Sequence, residues 1–204
     1  MVKFYHELTT KKSFEILREL QKKFDFILIG GWAIFMYTEV LESKDIRIII
    51  DFGELKKIRD EYEISKNQRL KKYEIKIEEV DIDIYTPFFS ELGFPTEEIN
   101  KYTQQRQGFL VPYPEILLIL KVVTYKDRKG SSKGKKDLID IFSLLSKTEI
   151  NWERYHDLIE DYELESINES FVEIVKSADA IPELDLLNHR IAKLKEKVLG
   201  NLQL

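Results

Sequence analysis

Three groups of residues in this chain have the types and spacing to do chemistry. The first is Gly30-Gly31, where the apolar run Asp25-Phe26-Ile27-Leu28-Ile29 gives way to a helix-like segment. Paired glycines at such a turn let backbone approach a phosphate, and the first N–H groups of the helix supply positive potential. A tight strand-to-helix turn explains the same two glycines equally well. The second group is acidic: Asp45 opens one apolar strand pattern, and Asp81 and Asp83 lie two apart on another, hence on one side of it. A carboxylate among apolar strand neighbours is costly to bury unless it is paired or binds a metal. Solvent-facing aspartates on a half-exposed sheet are the plain alternative. The third group follows Val111-Pro112-Tyr113-Pro114-Glu115 and comprises Lys121, Arg128, Lys136, Asp137 and Asp140. Lys121, Tyr125 and Arg128 fall on one helix face at i, i+4 and i+7. The run from Arg128 to Lys136 reads as a flexible basic loop, suited to a solvated turn, a phosphate or an acidic partner.

Composition narrows what these groups can be. With 204 residues, 43% of them hydrophobic, the chain can bury a real core and is no disordered spacer. The absence of cysteine excludes a disulfide scaffold, a thiol nucleophile and a cysteine-bound zinc. His6, His156 and His189 are far apart, so any metal is expected to be a hard, carboxylate-bound ion. No apolar run reaches the roughly 18 residues of a membrane span, and the N-terminus lacks a signal-peptide core. The expectation is a soluble, cytoplasmic protein without membrane partners. Abundant Ile, Lys and Glu fit a thermophile source, although AT-rich coding gives the same bias. The net charge of −5 is an average over opposed regions. Residues 121–136 hold seven cations and one anion, whereas 151–204 hold twelve anions and six cations. Local contact with polyphosphate or RNA is therefore compatible with the total.

The elements that position these residues are readable from periodicity. A helix is predicted over 11–23, capped by Thr9 or Thr10, then a strand over 25–29 and a buried helix over 32–41. A β-branched strand follows over 45–51 and a charged helix over 53–65. Residues 73–77 and 80–85 alternate at period two, as half-buried strands do. After a loose stretch over 94–107 comes a short strand, 109–111. Helices are predicted over 115–128, 136–147, 151–162, 166–178 and 183–199, the last with a seam of Leu184, Leu187, Ile191, Leu194 and Val198. The fold class is α/β (α+β): a mixed sheet flanked by helices over 1–112, then a helical region over 113–204.

In order and spacing, these features resemble the nucleotidyltransferase superfamily that shares the DNA polymerase β palm. They are most similar to its AbiEii-like toxins and its aminoglycoside and lincosamide enzymes. Ile29-Gly30-Gly31-Trp32-Ala33 matches the family's glycine turn, and Asp45 follows Gly31 by fourteen residues, at the first metal-binding aspartate. Either Asp83 or Asp81 matches the third carboxylate. The segment from Val111 to Lys121, the Arg128 loop and Lys136-Asp137-Leu-Ile-Asp140 resemble the helical half. The resemblance spans about residues 10–147. It implies a nucleoside triphosphate bound between the two domains, with Gly30, Gly31, Ser43, Arg47, Lys121 and Arg128 at the nucleotide. It also implies Mg²⁺ on Asp45 with Asp83 or Asp81, and an acceptor that is RNA, a protein hydroxyl or a small molecule. A homodimer or a partner protein is compatible with the same reading.

The chain departs from the family pattern at several positions. Arg47 stands where the second aspartate of Asp-x-Asp belongs, and Thr38 and Leu41 replace a glycine and a basic residue; Ser43 keeps the usual hydroxyl. Two Mg²⁺ against three carboxylates leave one positive charge, and Arg47 raises this to three. One Mg²⁺ at 4 Å from a cation is repelled by about 8 kcal/mol at an effective dielectric near 20. Three outcomes are open: Asp81 and Asp83 together rebuild a metal site, Arg47 itself holds the triphosphate, or Arg47 pairs with one of them and the site is inactive. Reduced transfer activity and a catalytically inactive, nucleotide-binding or protein-interaction role both follow from the family pattern.

Overall fold

A computed structural model describes residues 2–202, with side chains over 8–202. The side chain of His6 lies outside them. The chain divides into two compact units, Met1–Tyr113 and Pro114–Leu204.

The first unit carries a five-stranded mixed sheet in the order β1-β2-β5-β4-β3. These strands are β1 (Ile27–Ile29), β2 (Ile46–Ile49), β3 (Ser65–Asn67), β4 (Lys72–Ile77) and β5 (Val80–Tyr85). β2 and β5 run parallel, and the other neighbours are antiparallel. Alternation sorts the strands into two faces. Leu28, Ile46, Ile48, Tyr73, Ile75, Ile82 and Ile84 share one face and are buried. Arg47, Asp83, Lys72 and Glu74 share the other and are half-buried. That second face also carries Ile27, Ile29, Ile49 and Tyr85, all buried, so its polar part is the row from Arg47 to Glu74 rather than the whole face.

Helix α1 (Val2–Lys23) precedes the sheet, α2 (Gly30–Thr38) follows β1, and α3 (Phe52–Glu61) follows β2. The expected caps at Thr9 and Thr10 are corrected, because α1 begins well before them. Thr10 instead donates its hydroxyl hydrogen to Glu42. Trp32, 2% exposed, donates its indole N–H to Ser13 Oγ at 2.9 Å and packs on Phe14, tying α2 to α1. Asp51 caps α3 by accepting from Glu54 N at 2.8 Å. The stretch 94–107 is more ordered than its composition predicts. It holds a 3₁₀ turn (Ile99–Tyr102) and β6 (Thr103–Arg106), which pairs with β7 (Phe109–Pro112) as a separate hairpin.

The second unit is helical: α4 (Pro114–Arg128), α5 (Ser132–Lys147), α6 (Trp152–Asp161), α7 (Glu165–Ser177) and α8 (Asn188–Leu202). Two expectations change here. The supposed basic loop is mostly the first turn of α5, capped by Ser131 Oγ, which accepts from Gly134 N at 3.0 Å. The predicted seam at 183–199 is interrupted. Pro182–Leu184 forms a 3₁₀ turn closed by Asp185 in the left-handed region, and Leu187 is 54% exposed. Only from Asn188 does the apolar spacing run on one helix, with Ile191, Val198 and Leu202 buried. No described helix is long and apolar enough to cross a membrane.

Candidate functional site

A single row of residues crosses the polar face of the sheet. Ile29 on β1 lies opposite Arg47 on β2, Arg47 beside Asp83 on β5, and Asp83 opposite Glu74 on β4. Register alone therefore brings the arginine and the aspartate together. Arg47 Nε lies 3.5 Å from Asp83 Oδ2, while Lys72 Nζ donates to Asp83 Oδ1 at 2.6 Å and reaches Glu74 Oε1 at 2.8 Å. Both oxygens of Asp83 thus face a cation, and the four side chains sum to zero charge. The side chains of Lys72, Asp83 and Arg47 are only 12%, 15% and 18% exposed, so water screens these pairs weakly. Burial lowers the pKa of Lys72, but the hydrogen bonds it donates to Asp83 and Glu74 outweigh it and the net shift is upward. The same ammonium holds the Glu74 carboxyl below its usual range.

Gly30 sits beneath this cluster. Its φ of +73° belongs to the left-handed region that favours glycine. A Cβ placed on it would lie 3.0 Å from Arg47 Cδ, so the arginine stem rests directly on the glycine backbone. Gly30 and Gly31 form the first turn of α2 rather than a loop ahead of it, and no side chain caps that helix. The first N–H groups of an α-helix have no partner within the helix itself.

The other expected site residues are placed as follows. Asp45 is half-buried just ahead of β2, and its carboxylate makes no ion pair among the described residues. Ser43 is buried, its hydroxyl donating to Asp45 O at 2.9 Å, where it shapes the entry into β2. Asp81 shares a face with Asp83 but stands at the exposed end of β5, with Lys76 Nζ at 3.8 Å. Thr38 donates back to Ile34 O within α2. In the second unit, Lys121 is 5% exposed and its ammonium lies 2.7 Å from Asp137 Oδ1 and 2.6 Å from Asp140 Oδ2. Arg128 reaches toward Asp137 Oδ2 at 3.8 Å, too far for a hydrogen bond. Lys121 is therefore a bridge between α4 and α5, held there by Asp137 and Asp140.

Lys72 and Glu74 are the members of this cluster that sequence reasoning misses: alternation predicts a strand over 73–77, which leaves out Lys72, and it does not give the register that sets both against Asp83. The residues present do not fit a two-ion Mg²⁺ site. Of the carboxylates expected there, one is replaced by Arg47 and another is held by two cations. A metal at Asp83 would have to displace both.

No protein-family model and no curated protein matches the sequence. Solved structures do. A protein of H. pylori described as a nucleotidyltransferase superposes with a TM-score of 0.51 at 13% identity, over 98% of this chain and 93% of the other. An antigenic nucleotidyltransferase-like protein from Paracoccidioides brasiliensis gives 0.45 at 16%, over 81% of this chain and 87% of that one. The Megavirus polyadenylate synthase gives 0.47 at 15%, over 71% of this chain and 32% of that one. The first likeness, nearly end to end, defines the architecture. The chain has the nucleotidyltransferase fold.

Proposed function

We propose that this chain is a nucleotide-binding protein of nucleotidyltransferase fold that does not carry out two-metal nucleotidyl transfer. The observation that carries this reading is the double engagement of Asp83 by Arg47 and Lys72. Three carboxylates with two Mg²⁺ normally present net positive charge to the phosphates and activate an acceptor. Here the positive charge is built into the chain, so neutralisation of a phosphate needs no metal. A triphosphate at the α2 N-terminus would meet uncapped N–H groups and the Arg47 guanidinium, which it takes over from Asp83. Lys72 stays with Asp83 and Glu74 and keeps those carboxylates neutralised. Because phosphate exchanges with an existing partner of Arg47, binding is modest. Nothing in this arrangement activates an acceptor hydroxyl.

Calorimetric titration of each nucleoside triphosphate, with and without Mg²⁺, tests the reading on wild type and Arg47→Asp. The expected outcome is wild-type binding that Mg²⁺ does not strengthen, and metal-dependent binding in Arg47→Asp. Transfer of label from a triphosphate by the wild-type protein, abolished in Asp45→Ala, would overturn it.

A further inference from the structure

We propose that the β3–β4 edge of the sheet, with the adjoining turn 86–90, is a docking surface for single-stranded nucleic acid. This surface lies on the face opposite Asp83. Lys66 on β3 pairs in register with Tyr73, whose side chain belongs to the apolar face, whereas Lys72 and Asp83 belong to the polar one. The proposal is therefore independent of the nucleotide reading.

Four observations carry it. Phe88 is 82% exposed, the most exposed large apolar side chain among the described residues. Its φ of +60° is a conformation that bulky L residues rarely adopt. The turn imposes that conformation: Ser90 N donates to Thr86 O at 3.1 Å, Thr86 N donates to Ser90 Oγ at 3.0 Å, and Thr96 Oγ1 donates to Ser90 O at 2.9 Å. A strained backbone that holds an aromatic ring out in solvent is a feature of binding sites, since folding alone would favour glycine there.

Next to Phe88, Phe89 packs on Tyr73 at 5.3 Å between ring centroids. Cations surround this pair: Lys66 Nζ at 4.3 Å from the Phe89 centroid, Lys71 Nζ at 5.8 Å from it, and Arg59 at 5.5 Å from that of Tyr73. Arg69 lies exposed in the same hairpin. None of Arg59, Lys66, Arg69 and Lys71 forms an ion pair among the described residues, although carboxylates outnumber cations in the chain as a whole. The fourth observation is Lys71 itself, held at φ +48° in a hairpin turn where glycine is usual.

An exposed Phe88 ring, next in sequence to a Phe89 ring that cations surround, fits a ligand that alternates flat bases with phosphates. Bases stack on aromatic side chains irrespective of sequence, and lysines and arginines follow the backbone. An anionic membrane is a poorer fit. Among the described residues, Phe88 and Leu70 are the exposed large apolar side chains at this edge, and α3, which supplies Arg59, turns its Leu55 and Ile58 into the core rather than outward.

The test is fluorescence anisotropy of the full chain with labelled single-stranded RNA, single-stranded DNA and duplex of one sequence, as a function of salt. Single strands are expected to bind more tightly than duplex, and the RNA and DNA arms identify which of the two is the ligand. Phe88→Ala should weaken binding about tenfold while Phe88→Trp retains it, as loss and recovery of one stacked base predict. Lys66→Gln with Arg69→Gln should lower the salt slope by about 1.4, at roughly 0.7 per phosphate contact. These side chains are exposed, and circular dichroism melts confirm that each variant folds. Equal affinity for duplex, indifference to Phe88→Ala, or sedimentation with anionic vesicles in place of oligonucleotide binding would each overturn the proposal.

Discussion

Arg47 and Asp83 stand beside each other across the one parallel strand pair of the five-stranded sheet, with Nε 3.5 Å from Oδ2. Strand register alone sets a cation beside an anion at this point and produces an ion pair. The second oxygen of Asp83 is taken by Lys72 at 2.6 Å, so the aspartate serves two cations.

Stability should depend on pH through this cluster at both ends. The pKa of Lys72 is raised in the folded chain, so its contribution is complete below the unfolded value near 10.5 and is lost as pH rises through the folded one. Glu74 is lowered, so its contribution is complete above the unfolded value near 4.5 and is lost as pH falls through the folded one. Urea unfolding across pH should show a plateau between these limits. Lys72→Met should flatten the alkaline limb, and Glu74→Gln the acid limb.

Asp83→Asn leaves Arg47 and Lys72 facing each other without a full countercharge. Partial exposure moderates the cost, and a loss of about 1–2 kcal/mol is expected, well below that of a fully buried pair. Thermal melts should show a drop of several degrees. An unchanged melting temperature would mean that the pairs contribute nothing net.

The Lys121 bridge should be more sensitive. Lys121, Asp137 and Asp140 are at most 5% exposed, so Lys121→Met strands two carboxylates in the interior. A loss of about 3–5 kcal/mol is expected. The triple variant Lys121→Met, Asp137→Leu, Asp140→Leu should recover much of it, since a well-packed apolar group of similar volume replaces a buried ionic one at little cost. Failure of the triple variant to recover would point to geometry held by the charges themselves.

Gly30→Ala combines two penalties, a positive φ and a close approach to Arg47 Cδ. About 1–2 kcal/mol is expected from the backbone alone. Arg47→Ala should relieve the steric part and not the backbone part, so a double-mutant cycle should give a positive but incomplete coupling.

Much of this architecture can be read from residue order. The alternation of Val80 to Tyr85, the Gly30-Gly31 turn and the placement of Arg47 in the strand after it are local patterns. The partners of Asp83 are not local, because a register between strands is set by packing of their apolar face and leaves no trace in the spacing of Lys72 and Glu74. Local chemistry also misled in two places. Ser131 and Ser132 read as loop residues, yet one is the cap and the other the first residue of α5. Leu184 and Leu187 fit a helical period that Asp185 breaks by entering the left-handed region. The family resemblance puts Lys121 at the nucleotide, whereas its two acidic partners lie on the next helix and hold it buried between α4 and α5.

The three-residue strand β3 also bears on self-association. It forms an outer edge of the sheet, where unpaired backbone groups invite a strand from another molecule. Its brevity and the charge of Lys66 make that edge a poor template for intermolecular pairing. Variants that neutralise Lys66 therefore remove a safeguard against aggregation as well as a cation, and light scattering should accompany every measurement made on them.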